Sequence, residues 1–170
     1  QVLEAGAREA GHPHLVRPVH PAFVGGLIVL WLALDWPIGA LGAGYLASVH
    51  MLQFLLMALV APPMLLLGPS PDALAIVERP GLFRSLVRRV VSPFPALVIF
   101  SVVVLLTHLP PLVDAMMATQ VGSMAIDLLW IGAGFVFWWP VIRDVPHQPR
   151  FSHPVKIGYI VLGIMFSPLM

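Results

Sequence analysis

The segment HMLQFLLMALVAPPMLLLG, residues 50–68, is almost entirely apolar, yet it begins with His50, carries Gln53 one turn later and contains Pro62 and Pro63. A helix that crosses a bilayer needs about 20 mostly apolar residues, and this segment reaches that length. The two prolines are expected to end or kink the helix near one interface. A histidine inside a membrane is energetically costly and usually marks a site or a pathway. The segment therefore predicts a membrane-spanning helix in which His50 is a candidate functional residue.

The composition extends this interpretation to the whole chain. Of its 170 residues, 59% are hydrophobic and only 10% are charged, and the mean hydropathy is +0.93. A soluble domain carries about 25% charged residues, so this chain could not cover a water-facing surface and is predicted to be an integral membrane protein. The net charge of +1 gives no indication of nucleic acid binding. Because the chain starts at Gln1 and stops within an apolar run, we expect both ends to continue beyond this sequence.

The residue inventory limits the chemistry. The chain contains no cysteine, which excludes disulfides and thiolate metal sites. Any metal would have to be held by histidine, methionine or carboxylate side chains. The sequence shows no nucleophile–base pair, no phosphate-binding loop and no Glu-x-x-His arrangement, so we do not expect an enzyme.

Five apolar stretches predict the fold class, which is an all-α, polytopic transmembrane helix bundle with about five spanning helices in a single membrane domain over residues 1–170. The predicted helices cover residues 21–38, 41–68, 93–113, 121–142 and 155–170. The segment GLFRSLVRRVV, residues 81–91, predicts a short amphipathic helix that lies in the membrane interface and contacts anionic lipid. A docking surface for a protein partner is the alternative for that segment.

The basic residues predict the orientation of the bundle. Of the nine lysines and arginines, eight lie before the first predicted helix, between the second and third, or between the fourth and fifth, and Lys156 lies at the very start of the fifth. Basic residues favour the cytoplasmic side, so the other two connections are expected to face the periplasm. The predicted location is the bacterial inner membrane, with the bilayer itself as one partner.

Polar side chains collect at the predicted periplasmic level. His50 on the second helix and Asp127 on the fourth lie at similar depth, and His108 is near the outer end of the third. Met51 and Met124 share this level. Imidazole and thioether ligands together suit copper, especially Cu(I). These five residues are therefore the candidate metal ligands.

The spacing of the candidate ligands supports a metal site only in part. Two ligands four residues apart share a helix face, but Phe54 stands four residues after His50, and Ser123 stands four before Asp127. Each helix thus offers one ligand. A polar clamp between helices, with methionines filling gaps in an apolar core, remains the alternative.

Three strings together resemble the cytochrome c oxidase assembly factor family of the CtaG type. They are GLIVLWLALDWPIGALGAGYLASVHMLQFLLMALVAPPMLLLG, THLPPLVDAMM and GFVFWWPVI, and the resemblance runs from about Arg17 to the end of the chain. It implies a polytopic membrane protein, usually of about seven helices, that takes part in maturing the copper centres of haem–copper oxidases. Copper delivery on the periplasmic side is the implied activity.

The chain departs from the family pattern at the implied ligands. The resemblance implies His-x-x-x-His on the second helix, where this chain has His50 and Phe54, and a second such pair on the fourth, where it has Ser123 and Asp127. His108 of the HLP motif is retained. The sequence therefore predicts a degenerate member with most family histidines replaced and a site that is vestigial.

Three functions follow from these observations. The first is a structural accessory subunit of a larger energy-transducing membrane complex, a respiratory oxidase or a photosynthetic assembly, with no cofactor. The second is an active copper chaperone that inserts copper into a haem–copper oxidase with the reduced ligand set. The third is electron transfer through a haem held by His50 and His108, which an absorption spectrum without a Soret band would exclude.

Overall fold

The computed structural model describes residues 20–42, 47–69, 82–143 and 152–166, and all regular structure within these ranges is helical. This confirms the predicted all-α class. The helices, in chain order, are α1 Pro21–Leu34, α2 Ile38–Gly42, α3 Ala47–Leu66, α4 Leu82–Val90, α5 Pro93–Thr107, α6 Pro110–Met117, α7 Gln120–Ile142 and α8 His153–Phe166.

Helix α7 is the centre of the bundle and packs against α5, α3 and α6. Its Trp130 and Phe137 are buried together with Phe54 of α3 and Phe100 of α5, and the rings of Phe100 and Phe137 stack with their centroids 4.5 Å apart. Lipid tails are as apolar as these side chains, so close packing rather than the hydrophobic effect holds such helices together.

The outer surfaces of the helices are apolar, as a lipid-facing surface requires. Large side chains such as Trp31, Val121, Leu128 and Ile157 are exposed on the outside of the bundle. Within the described residues, three helical stretches are long and apolar enough to cross a membrane, and the bent pair α5–α6 would be a fourth. The chain is therefore a membrane protein.

The described part of α8 is too short to count as the fifth predicted span. It covers His153–Phe166, 14 residues, against a predicted 155–170, and a span usually needs about 17–25 residues. Residues 167–170 lie outside the described ranges. Helix α7, by contrast, covers Gln120–Ile142 against a predicted 121–142.

The predicted helix 21–38 is interrupted between α1 and α2. The backbone of Asp35 is extended, and its carboxylate Oδ1 accepts a hydrogen bond from the backbone N–H of Trp36 at 2.8 Å. Pro37 follows and has no N–H to donate to the helix. The stretch Pro21–Gly42 is still 22 residues long and qualifies as one candidate span. Of the second predicted helix, 41–68, residues 41–42 belong to α2 and the part from Ala47 onward to α3, while residues 43–46 lie outside the described ranges.

The predicted helix 93–113 bends by 73° between α5 and α6. Leu109 at the bend has an extended backbone, with φ −72° and ψ 120°. The residue before a proline avoids the helical conformation for steric reasons, and Pro110 follows Leu109. The two prolines that open α6 therefore turn the chain away from the axis of α5.

The proline pair in α3 does not end the helix where it occurs. The residues before it, Leu56–Val60, form a π-helical turn, in which the backbone N–H of Ala61 bonds to the carbonyl of Leu56. Pro62 has no N–H for the carbonyl of Ala58, four residues earlier, and one wide turn accommodates this loss. The helix then continues to Leu66.

Cationic side chains bind helix ends on one side of the bundle. Arg143 donates from Nη2 to the carbonyl oxygens of Leu66 and Pro69, the latter at 3.1 Å. Lys156 donates from Nζ to the carbonyl oxygen of Val141 at 2.7 Å. Carbonyls at a helix C-terminus lack backbone partners and carry partial negative charge, so these contacts stabilise the ends of α3 and α7.

Candidate functional site

Polar side chains of α3 and α7 face one cavity of about 120 Å³. His50 and Gln53 are three residues apart on α3, and Ser123 and Asp127 are four apart on α7, so each pair shares one helix face. The other residues that line the cavity are Leu34, Gly39, Met117 and Ile126. His50 and Asp127, which the sequence predicts to lie at similar depth, thus line the same cavity.

Gln53 joins the two helices across this cavity. Its side chain is only 6% exposed, and its Nε2 donates to Oδ1 of Asp127 at 3.5 Å. A buried amide and a carboxylate both need hydrogen-bond partners in an apolar environment, so each side chain stabilises the burial of the other. The sequence signal for Gln53 was its place one turn after His50, but its partner could not be identified from the sequence.

A second cluster surrounds the indole ring of Trp130. His50 meets this ring at a centroid distance of 5.0 Å, Phe54 at 5.3 Å and His108 at 6.2 Å. Phe54 also packs edge-on against His108, with centroids 5.2 Å apart and an interplanar angle of 81°. We refer to His50, Phe54, His108 and Trp130 as the aromatic cluster. The role of Trp130 was not predicted, although it lies one turn after Asp127.

Hydrogen bonds fix the orientation of the aromatic cluster. Trp130 donates from Nε1 to Oγ1 of Thr107 at 2.9 Å, and the Thr107 hydroxyl donates to the carbonyl oxygen of Val103 at 2.8 Å. The Nδ1 atom of His108 lies 2.7 Å from the carbonyl oxygen of Val104. A carbonyl can only accept, so this contact assigns the proton of His108 to Nδ1.

Two imidazole nitrogens in the cluster have no hydrogen-bond partner among the described residues. Nδ1 of His50 and Nε2 of His108 are both buried without a hydrogen bond. With the proton on Nδ1, the Nε2 atom of His108 presents a lone pair, which can accept a hydrogen bond or bind a metal.

The remaining candidate ligands lie elsewhere. Met51 and Met124 are 37% and 56% exposed, and neither lines the cavity, whereas Met117 does. Met51 is rotated by about 100° from His50 around α3, and Met124 is exposed although it lies only three residues before Asp127, so similar depth alone does not bring either side chain into the cavity.

The donor set does not fit a resident copper centre. In the ranges that the structure describes, no group of three or more His, Cys, Asp or Glu side chains is close enough to hold a metal ion. The position one turn after His50 is filled by Phe54, whose ring is buried and has no donor atom.

Comparison with known proteins gives one result. The family model described as cytochrome c oxidase caa3 assembly factor matches residues 5–170, which confirms the resemblance seen in the sequence. No curated protein and no solved structure matches the chain.

Proposed function

The chain belongs to the cytochrome c oxidase caa3 assembly factor family, and we propose that it is a degenerate member that acts as a non-catalytic, bound accessory subunit. Its partner would be a larger energy-transducing complex, respiratory or photosynthetic, in the bacterial inner membrane. The cavity between α3 and α7 would face the periplasm, and the ends bound by Arg143 and Lys156 would face the cytoplasm.

The packing of Phe54 is the observation that carries this proposal. Its ring lies edge-on against both His108 and Trp130, so the face of α3 that continues from His50 is used for packing between helices. Edge-to-face aromatic contacts contribute about 0.5–1.5 kcal/mol each beyond burial. This arrangement supports a function in which the folded bundle binds a partner complex and the histidines contribute to packing between helices.

Native mass spectrometry of the protein, gently extracted from its own membranes, tests the proposal. We expect the chain to leave the membrane in fixed stoichiometry with a large complex and without copper. A chain that emerges alone, or only transiently bound, and that carries copper would refute the accessory role.

A copper-carrying function is the second candidate, and the two buried unpartnered imidazole nitrogens favour it. In that function, copper is cargo held between His50 and His108. Two nitrogen ligands would hold Cu(I) more weakly than a full ligand set, which suits a carrier that must release its metal.

A matched pair of variants distinguishes the two functions. His50→Ala removes an imidazole from the aromatic cluster, while His153→Ala removes an exposed one at the start of α8. Cu(I) affinity is measured by competition with a chromophoric chelator. If copper is cargo, His50→Ala alone weakens binding and lowers oxidase activity. If the chain is an accessory subunit, both variants and the unmodified protein show the same Cu(I) affinity, and a chelator leaves the unfolding temperature of each unchanged.

A further inference from the structure

Helix α4 has two chemically different faces. Successive positions of an α-helix are rotated by about 100°, so Leu86, Val87 and Val90 fall within an arc of about 100°, and Arg88 and Arg89 fall outside it. Leu86 is 62% exposed although it is apolar, and Arg89 is exposed as well. Within the described ranges, α4 packs mainly against the start of α5, and the exposure of Leu86 leaves part of its apolar face uncovered.

The start of α5 extends the exposed apolar surface. Phe94 follows α4 after a short turn and is 75% exposed. Two exposed large apolar side chains, Leu86 and Phe94, together with nearby arginines, match the composition of a helix that lies in the membrane interface. Its apolar residues enter the acyl region, and its basic residues stay at the level of the phosphates.

The charges of the described residues place α4 at the cationic end of the bundle. Helix α5 begins where α4 ends, and α7 runs back to the same side, where Arg143 binds the end of α3. The described carboxylates, by contrast, belong to Asp35, Asp114 and Asp127, which lie toward the opposite end. A basic surface at one end of the bundle is complementary to an anionic leaflet.

We propose that α4, with Phe94, is a binding surface for anionic phospholipid headgroups of the cytoplasmic leaflet. Its polar face binds phosphate through Arg88 and Arg89, while Leu86 and Phe94 insert between acyl chains. A lipid is favoured over a protein partner because the bilayer already surrounds the bundle at this level and supplies both the apolar and the anionic component. This inference is independent of the proposed function.

Lipid retention from mixed bilayers tests the inference. The intact membrane protein is reconstituted in bilayers with equal amounts of phosphatidylglycerol and phosphatidylcholine, and native mass spectrometry measures the ratio of the two lipids that stay bound. We expect preferential retention of phosphatidylglycerol. Each juxtamembrane arginine contributes about 1 kcal/mol of attraction to an anionic surface, which is about fivefold in binding. Replacing both arginines in Arg88→Gln/Arg89→Gln should therefore lower the retained ratio by roughly 25-fold.

Two further variants keep this test decisive. Arg88→Lys/Arg89→Lys retains the positive charge and should keep the preference. Arg89→Gln alone changes an exposed side chain and should lower the ratio by about fivefold, so it serves if the double variant fails to insert. Equal retention of both lipids by the unmodified protein would overturn the inference. So would unchanged lipid retention by the glutamine variants combined with loss of a co-purifying complex, which would identify a protein-docking surface.

Discussion

Replacing Gly134 by alanine tests the close contact between α3 and α7. The positions of the cavity and of the aromatic cluster both depend on this contact. A Cβ atom at residue 134 would meet the carbonyl oxygen of Ala58 well inside contact distance and would lie 2.8 Å from Cγ of Pro62. Both neighbours belong to the backbone or the ring of α3, which cannot move aside as a flexible side chain can. The same carbonyl is the one that Pro62 deprives of its helical donor. Gly134→Ala should therefore push the two helices apart at the π-helical turn.

The size of the effect follows from two opposing terms. Alanine is a better helix former than glycine by about 1 kcal/mol, whereas inserting a methyl group into a tightly packed contact costs about 1–3 kcal/mol. Gly132, two residues earlier on the same helix, has no atom within 4 Å of its Cβ position, so Gly132→Ala gains only the first term. The two variants should differ by about 1–3 kcal/mol in the free energy of unfolding, with Gly134→Ala the less stable.

Unfolding by sodium dodecyl sulfate in mixed micelles, followed by tryptophan fluorescence, measures this difference. Gly132→Ala is the matched control, since it makes the same chemical change on the same helix and cancels helix propensity. Equal unfolding midpoints for the two variants would show that α3 and α7 do not approach each other as closely as described. The contact between Gly134 and the turn that contains Ala58 would then be refuted.

Three further predictions concern buried hydrogen bonds and are measured by the same unfolding assay. Thr107→Val leaves the indole N–H of Trp130 unpaired and should cost about 1–3 kcal/mol, while Thr107→Ser, which keeps the hydroxyl, should cost distinctly less; equal losses would show that the hydroxyl does not matter. Tyr159→Phe removes the donor to the Phe137 carbonyl, 3.0 Å away, and should cost about 0.5–1.5 kcal/mol; an unchanged midpoint would contradict the contact. Arg143→Met removes the donor to the carbonyls at the end of α3 and should destabilise the bundle by about 0.3–1 kcal/mol. Arg143→Lys keeps a cationic donor and should destabilise the bundle less.

The helices were largely predictable from the sequence, because spanning segments must be long and apolar and few other segments of this chain are. The effect of each proline on its helix was not predictable from the sequence. Pro62 produces a wide turn inside a continuous helix, whereas Pro110 bends its helix by 73°. The difference depends on neighbours: the turn before Pro62 is covered by Gly134 of α7, while α6 has no buried residue and is free to leave the axis of α5.

The depth of the candidate site residues along their helices was predictable from the sequence, but the helix face on which each side chain lies was not. Counting residues along each helix placed His50 and Asp127 at the same level, and the structure places them around one cavity. Counting does not specify which face of a helix turns toward its neighbour, so the exposure of Met51 and Met124 could not be anticipated. The hydrogen bond from Gln53 to Asp127 joins residues 74 positions apart and required the packed bundle to be recognised.

The retention of His50 and His108 can be explained without a metal. Both rings lie against Trp130, whose N–H is held by Thr107, so the two imidazoles complete an aromatic layer between α3, α5 and α7. Phe54 fills the space one turn after His50. A smaller side chain in place of either histidine would leave a cavity in this layer, and an apolar side chain would lack the imidazole dipole. Selection for a stable bundle would then keep these residues even in a chain that no longer binds copper. On this reasoning, His50→Ala should lower the stability of the bundle whether or not copper is present, whereas a dedicated ligand would lower it only in the presence of copper.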